Sequence, residues 1–259
     1  MSDDRSALKI LIVSDAGPER ELLRQAAAAA SAPIEVAELE AIGDPKATGE
    51  LLARGGFDVV FFDSRPSKPA RQSMLDAIRA TPSRPLAVLI GPSAIKTREV
   101  LTEGLDVDST LAKPIDKQEA RNLLDLCIRS QLPKRILIVD DSSTVRSVIR
   151  KVLQASRFKL EVDDAGDGTA AIAQVKKQRF DIAFLDCQMP VIDGFAILAE
   201  FKRTQPDLKV VMITGTRDVR IEERARVGGA EDFLYKPFFA KDIDAALNRL
   251  FGLVGPRWD

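Results

Sequence analysis

Two acids stand side by side at Asp140 and Asp141, a third at Asp186, a hydroxyl at Thr214 and an amine at Lys236. Each follows a short apolar run. Ile136-Leu137-Ile138-Val139 ends in the acid pair and Ile182-Ala183-Phe184-Leu185 in Asp186; Val210-Val211-Met212-Ile213 ends in Thr214 and Phe233-Leu234-Tyr235 in Lys236. Three neighbouring carboxylates repel one another, and a hard divalent cation with oxygen ligands is their natural neutraliser. Mg2+ usually takes one or two carboxylates along with phosphate oxygens and waters, so one acid stays free to act as a nucleophile, as carboxylates do in forming acyl phosphates. Phosphoryl transfer asks mainly for positioning and charge neutralisation, which a metal, a lysine and a hydroxyl supply. These residue types therefore suit Mg2+ and a phosphoryl group. Acids that merely cap neighbouring helices are the plainer reading, but five matched positions on four strands seldom coincide.

The elements that must position these groups are legible in the pattern. Short apolar runs rich in β-branched residues, separated by helix-length segments, predict buried parallel strands. Parallel strands share one carboxyl edge, and ligands bind there at the switch point of the sheet. The segment from about Ser143 to Gln154 predicts a helix burying Val145, Val148, Ile149, Val152 and Leu153, with Ser142 or Ser143 capping its first turn.

The first half of the chain repeats the second. Phe57-Asp58-Val59-Val60-Phe61-Phe62-Asp63 mirrors Phe180 to Asp186 at an offset of 123, and Lys113-Pro114 mirrors Lys236-Pro237 at the same offset. Asp63 to Lys113 and Asp186 to Lys236 are both separations of 50. At the front, Ile10-Leu11-Ile12-Val13-Ser14-Asp15 mirrors the run up to Asp141 at an offset of 126. A period of domain length implies duplication of a whole unit rather than a solenoid. Both halves alternate strand and helix, the signature of a doubly wound α/β fold. Strands are predicted near 9–13, 34–38 and 57–62, and helices near 19–31, 46–54 and 116–130, the first carrying the strongly helix-favouring Ala26–Ala30 run.

The expected domains are residues 1–131, a linker at 132–134, residues 135–251 and a tail at 252–259. So short a linker is no flexible tether and implies a restricted mutual orientation. No DNA-binding or catalytic output domain is expected after residue 251, and the tail carries Trp258, the sole tryptophan, as a candidate partner contact.

Composition excludes several classes. The chain is 45% hydrophobic and 30% charged, with net charge −1, so bulk electrostatics make no case for a nucleic-acid or membrane partner. Residues 1–131 hold 17 Lys and Arg against 20 Asp and Glu, and residues 132–259 hold 21 against 19, so neither half is a polyelectrolyte. There is no histidine, which excludes a phosphohistidine, a Ser-His-Asp triad and any His metal ligand within the chain. Whatever phosphorylates this chain must be another molecule. Two cysteines, Cys127 and Cys187, suit a reducing cytosol better than a disulfide scaffold, and Cys187 invites the question of redox sensitivity. No signal peptide or apolar stretch of membrane-spanning length is read, so the expected location is cytoplasmic.

Residues 134–251 resemble the receiver domain of a two-component response regulator, the CheY-like, flavodoxin-like fold of five parallel strands. The matching segments are Ile-Leu-Ile-Val-Asp-Asp at 136–141, Leu-Asp-Cys-Gln-Met-Pro-Val-Ile-Asp-Gly at 185–194, Ile-Thr-Gly at 213–215 and Gly-Ala-Glu-Asp-Phe-Leu-Tyr-Lys-Pro at 229–237. The resemblance implies that Asp186 accepts phosphate from a histidine kinase or phosphotransfer protein. It implies Mg2+ held by Asp140, Asp141, Asp186 and the backbone carbonyl of Gln188. Lys236 would pair with the phosphoryl group, Thr214 would turn its hydroxyl toward it, and Phe233 would take the place of an aromatic that moves inward as Thr214 shifts. Gln188 and Thr216 fall where this family tunes phosphoryl lifetime, and the Lys236-Pro237 bond is expected cis. The surface around Arg217, Arg220, Arg224 and Arg226 would carry an output or dimer contact.

By the same resemblance the first half is a degenerate receiver. It keeps Asp15, Asp63 and Lys113, but Ser14 stands where the first acid belongs, Gly91 where the hydroxyl belongs and Thr110 where the aromatic belongs. Fewer acids weaken Mg2+ attraction, and a structural, docking or dimerisation role is expected instead. The loop cations Arg65, Lys68 and Arg71 are candidates for receiving an acidic partner. The expected protein is a non-enzymatic, tandem-receiver response regulator that uses Mg2+, is phosphorylated by a kinase or phosphotransfer partner and acts on a downstream protein, a homodimer being left open. A phosphorylation-independent adaptor, or the input half of a larger enzyme such as a tandem-receiver diguanylate cyclase, are the alternatives.

Overall fold

The structure, a computed structural model, describes residues 7–39, 45–92, 105 and 107–254. Trp258, in the tail, lies outside the described residues. The chain divides into two compact units, Met1–Ser130 and Gln131–Asp259. In the first, the order is β1 (Leu8–Val13), α1 (Gly17–Ala28), β2 (Ile34–Leu39), α2 (Pro45–Gly55), β3 (Val59–Asp63), α3 (Lys68–Ala80), β4 (Leu86–Gly91), β5 (Ser109–Ala112) and α4 (Lys117–Ser130). In the second it is β6 (Lys134–Val139), α5 (Ser143–Gln154), β7 (Leu160–Ala165), α6 (Gly168–Lys177), β8 (Ile182–Asp186), α7 (Gly194–Thr204), β9 (Lys209–Thr214), α8 (Val219–Val227), β10 (Asp232–Tyr235) and α9 (Ala240–Leu250). Strand β6 takes in Lys134, one residue earlier than the boundary read from the sequence.

Each unit holds one five-stranded, all-parallel sheet. The spatial orders are β2-β1-β3-β4-β5 and β7-β6-β8-β9-β10, the same doubly wound arrangement twice. The order reverses beside β1 and beside β6, which makes the crevice between β1 and β3, and between β6 and β8, the switch point. In the second unit Val139 pairs with Leu185, Asp186 with Ile213 and Thr214 with Tyr235, so the five chemistry-bearing residues emerge along one edge.

The apolar runs become strands because helices cover both faces of the sheet. Every residue of β3, β4 and β8 is buried, as a central parallel strand requires. The edge strands β2 and β7 are mostly half-exposed and carry the acids Glu38 and Asp164. Fully buried Phe184, Phe201 and Phe233 anchor the second core, each such side chain contributing roughly 1.5–3 kcal/mol by leaving water.

Helix α5 follows the predicted bounds, and Ser142 is its cap, accepting from the Val145 N–H at 3.4 Å. Its buried stripe is narrower than the sequence suggested. Ile149 and Leu153 are buried, but Val148 is 45% exposed, because it lies on the flank of the stripe and not under it. Helix α1 starts at Gly17 with Pro18 in its first turn, two residues before the expected start. Both Lys113-Pro114 and Lys236-Pro237 are cis. Among the described residues no helix is long and apolar enough to cross a membrane.

Candidate functional site

The parallel sheet of the second unit places Asp140 just past β6, Asp186 at the end of β8, Thr214 at the end of β9 and Lys236 just past β10. Asp140 and Asp186 are buried and Asp141 is exposed. One oxygen from each of these three acids lies within 4.8 Å of the others, and among the described residues they are the group that could hold a metal ion. The Lys236 ammonium sits between two of them, 2.8 Å from Asp140 Oδ2 and 3.2 Å from Asp186 Oδ1.

Three carboxylates against one ammonium leave two negative charges in a largely buried crevice. The electrostatics reflect it. Burial pushes the Asp186 carboxyl above the usual carboxylate range, helped by the Asp140 charge and opposed by Lys236 and the Gln188 N–H. Burial works to lower Lys236, but its hydrogen bond to Asp140 and the two carboxylate charges raise it. Hard oxygen donors with an unbalanced double charge fit Mg2+, which favours carboxylates and phosphate oxygens.

The loops that carry these acids are tightly held. Asp140 Oδ1 accepts from the Ser142 N–H at 2.8 Å, which turns the chain into α5. Arg146 donates to the Asp140 carbonyl at 2.7 Å and the Asp141 carbonyl at 3.3 Å, while Asp164 holds its Nε at 2.9 Å. Cys187 N–H donates to the Ile213 carbonyl, and Lys236 N–H to the Thr214 carbonyl. Gly194 lets α7 approach the acceptor strand: a Cβ there would lie 2.2 Å from the Asp186 carbonyl oxygen. Val191, in the same loop, is fully exposed and adopts φ 73, a left-handed conformation costly for a β-branched residue.

Thr214 is fully buried, and its hydroxyl oxygen accepts from the Thr216 N–H at 3.2 Å. Phe233 is likewise fully buried, edge-on to Tyr235 at 5.2 Å between centroids, so its ring is already inward. Gln188 is exposed. The Cys187 thiol is buried, and burial pushes it up to about 12, with the Asp186 and Asp193 charges adding to the effect. So high a value removes the thiolate that redox sensitivity would require.

The arginines near α8 are all engaged: Arg220 with Asp218, Arg226 with Glu223, Arg224 with Asp193 and the Phe195 ring, and Arg217 over the Tyr235 ring.

The first unit brings Asp63 and Lys113 together at 2.8 Å, closer than the 3.2 Å between Asp186 and Lys236 in the second. Two further residues complete it: Glu19, which sequence reasoning passed over, and Arg65, which it read only as a loop cation. Glu19, on α1, holds Lys113 at 2.7 Å and accepts from the Ser14 hydroxyl at 3.1 Å, so an acid absent at position 14 returns from the helix. Arg65, its side chain half-exposed, folds back onto Asp63 and Asp15. Arg71 likewise donates to the carbonyls of Ser64 and Pro66, so two of the three loop cations are engaged by their own loop and site, while Lys68 is exposed.

Arg146 was also passed over, though it had a signal in the repeat. Arg20, Arg24 and Glu38 recur as Arg146, Arg150 and Asp164, all at the offset of 126, and both triads are ion-paired.

Comparison with known proteins bears on the second unit most directly. The family described as "Response regulator receiver domain" matches residues 136–248. "Protein CcdB" of Bacillus subtilis (strain 168) is 36% identical over 118 residues, which cover 46% of this chain and 98% of that protein. "Response regulator MprA" of Mycobacterium sp. (strain KMS) is 31% identical over 125 residues, 48% of this chain and 54% of MprA, so this chain spans about half of that relative. Over both units, the solved structure of a "probable two-component system response regulator/GGDEF domain protein" superposes with a TM-score of 0.53 at 21% identity, covering 95% of this chain and 98% of that one. That likeness concerns the fold. With two five-stranded parallel sheets, an acid cluster at the switch point and a relative matched over nearly its whole length, the chain belongs to the response regulator receiver family.

Proposed function

We propose that the second unit is a phosphorylatable receiver in two-component signalling, with Asp186 as the phosphoryl acceptor. The observation that carries this reading is the Lys236 ammonium bridging Asp140 and Asp186 beside the exposed acid Asp141. Asp140, Asp141, Asp186 and the Gln188 carbonyl would hold Mg2+, which when bound neutralises the acids and the incoming phosphoryl oxygens.

Asp186 is oriented by the Gln188 N–H and by Lys236. One carboxylate oxygen attacks the phosphorus of a phosphohistidine; the P–N bond breaks, the new P–O bond gives an acyl phosphate, and the imidazole leaves with its electron pair. The donor is supplied by a kinase or phosphotransfer protein, since this chain has no histidine. Lys236 is placed to exchange Asp186 for a phosphoryl oxygen without leaving Asp140. Thr214 lies at the neighbouring strand end, where swinging its hydroxyl off the Thr216 N–H would bring it to the phosphoryl group. With Phe233 already inward, the readout needs no long ring movement. It works through Thr214 and the Tyr235–Glu222 hydrogen bond, which ties β10 to α8. Phosphorylation then shifts a two-state equilibrium and alters which protein the surface around α8 binds, the first unit serving as a docking or regulatory module.

Size-exclusion chromatography with light scattering, with and without beryllofluoride and Mg2+, tests this. Wild type should change its assembly or its affinity for a partner and Asp186→Asn should not; identical behaviour of both would refute the switch.

A further inference from the structure

Position 65 of the first unit corresponds to Gln188 of the second, at the offset of 123 that relates Asp63 to Asp186. In the second unit Gln188 gives Asp186 a backbone N–H. In the first, Arg65 gives Asp63 the same backbone contact at 2.9 Å and adds its side chain. Nε lies 2.8 Å and Nη2 2.6 Å from Asp63 Oδ2, and Nη2 also bonds to Asp15. Asp15 and Asp63 are the counterparts of Asp141 and Asp186. The guanidinium therefore bridges the two acids that, in the second unit, would share a metal.

The geometry points to Arg65 as a tethered cation standing in the metal position of the first unit, so that this unit takes neither a divalent cation nor a phosphoryl group at Asp63.

Three observations support it independently. Both Asp63 oxygens are engaged: Oδ1 accepts from the Arg65 N–H, while Oδ2 accepts from the Arg65 guanidinium and from Lys113 at 2.8 Å. Its side chain is fully buried, where that of Asp186 keeps 6% exposure. The charges are also nearer balance. Asp15, Glu19 and Asp63 face Arg65 and Lys113, leaving one negative charge where the second unit leaves two. An arginine does not deprotonate, and its paired charge-assisted bonds are about twice as strong as neutral ones, so a divalent ion would have to evict a partner that cannot be neutralised.

The consequence is a receiver locked in one state by its own side chain. Amide NMR of the full chain through a Mg2+ titration tests it, on wild type and on Arg65→Gln, which installs the residue of the second unit. Wild type should show shifts around 140–141, 186–188 and 236, and none at 14–15 or 63–65. Arg65→Gln should add a Mg2+-dependent set at 14–15 and 63–65. Shifts at 63–65 in wild type at concentrations that saturate the second unit overturn the proposal, as does a folded Arg65→Gln chain that gains none. If the variant does not fold, Mn2+ with wild type decides: paramagnetic broadening at 63–65 overturns the proposal and sharp signals there sustain it.

Discussion

Arg146 reaches across the head of α5 to the Asp140 backbone carbonyl, at 2.7 Å, and so fixes the loop bearing both metal-side acids. Asp164 holds the guanidinium from the other side at 2.9 Å. The first unit repeats this bracket with Arg20 on the Ser14 carbonyl at 2.6 Å and Glu38 at 3.1 Å, although its acid pair has gone. The bracket therefore belongs to the fold, and in the second unit it holds the loop of the proposed metal ligands. Partners that orient metal ligands are worth roughly 10- to 100-fold in metal affinity. Arg146→Ala should weaken Mg2+ binding by about 10-fold with the sheet intact, read by isothermal titration and circular dichroism.

Mg2+ should stabilise the second unit, because it relieves two uncompensated charges. At about ten times its Kd a ligand that binds only the folded form adds about 1.4 kcal/mol. Thermal unfolding with Mg2+ and then with a chelator should show that gain and its loss. In Asp141→Asn the gain should shrink.

The Asp63 and Asp186 carboxyls should titrate on opposite sides of the ordinary carboxylate value, Asp63 below it and Asp186 above it. Burial pushes both upward, but in Asp63 the hydrogen bonds from Arg65 and Lys113 outweigh it and hold the carboxyl below its ordinary value. A depressed folded pKa gives stability that is present above the unfolded value and lost as pH falls through the folded one. Asp186, raised without metal, gives the reverse: stability present below the unfolded value and lost as pH rises through the folded one. Carboxyl carbon NMR in metal-free buffer reads both, and equal midpoints would contradict the two environments.

Gly194 and Gly215 make a matched pair beside the acceptor. An added Cβ at Gly194 meets the Asp186 carbonyl oxygen at 2.2 Å and the Cys187 Cα at 2.9 Å, both backbone atoms that cannot swing away, whereas at Gly215 it meets nothing within 4 Å. Gly194→Ala should cost about 1–3 kcal/mol in urea unfolding, as overpacking does, and Gly215→Ala should be near neutral.

Cys127 and Cys187 should resist alkylation in the native chain. Both thiols are buried and pushed up to about 12. Reaction with a thiol reagent at neutral pH should be slow until denaturant is added.

Much of the fold was legible because central parallel strands are apolar on both faces: the runs at 136–139, 182–185 and 210–213 read as strands without any partner in view. The acids and Lys236 were legible because strand ends fix where a side chain emerges. What escaped depends on side-chain direction. Arg65 looked like a loop cation, and only the fold of the turn after Asp63 shows that it doubles back. Glu19 sits five residues from the acid it replaces, on a different element, so no strand-end rule reaches it. Val148 fits the helical period yet falls on the flank, because the period gives a stripe and not its width.

The central claim is best tested by mass spectrometry of the intact chain and its peptides, under conditions that preserve acyl phosphates, after incubation with a phosphohistidine donor and Mg2+. One added phosphoryl group on the peptide containing Asp186, absent in Asp186→Asn and with none on the Asp63 peptide, is the expected result. A bare Asp186 peptide alongside a phosphorylated Asp63 peptide would contradict it.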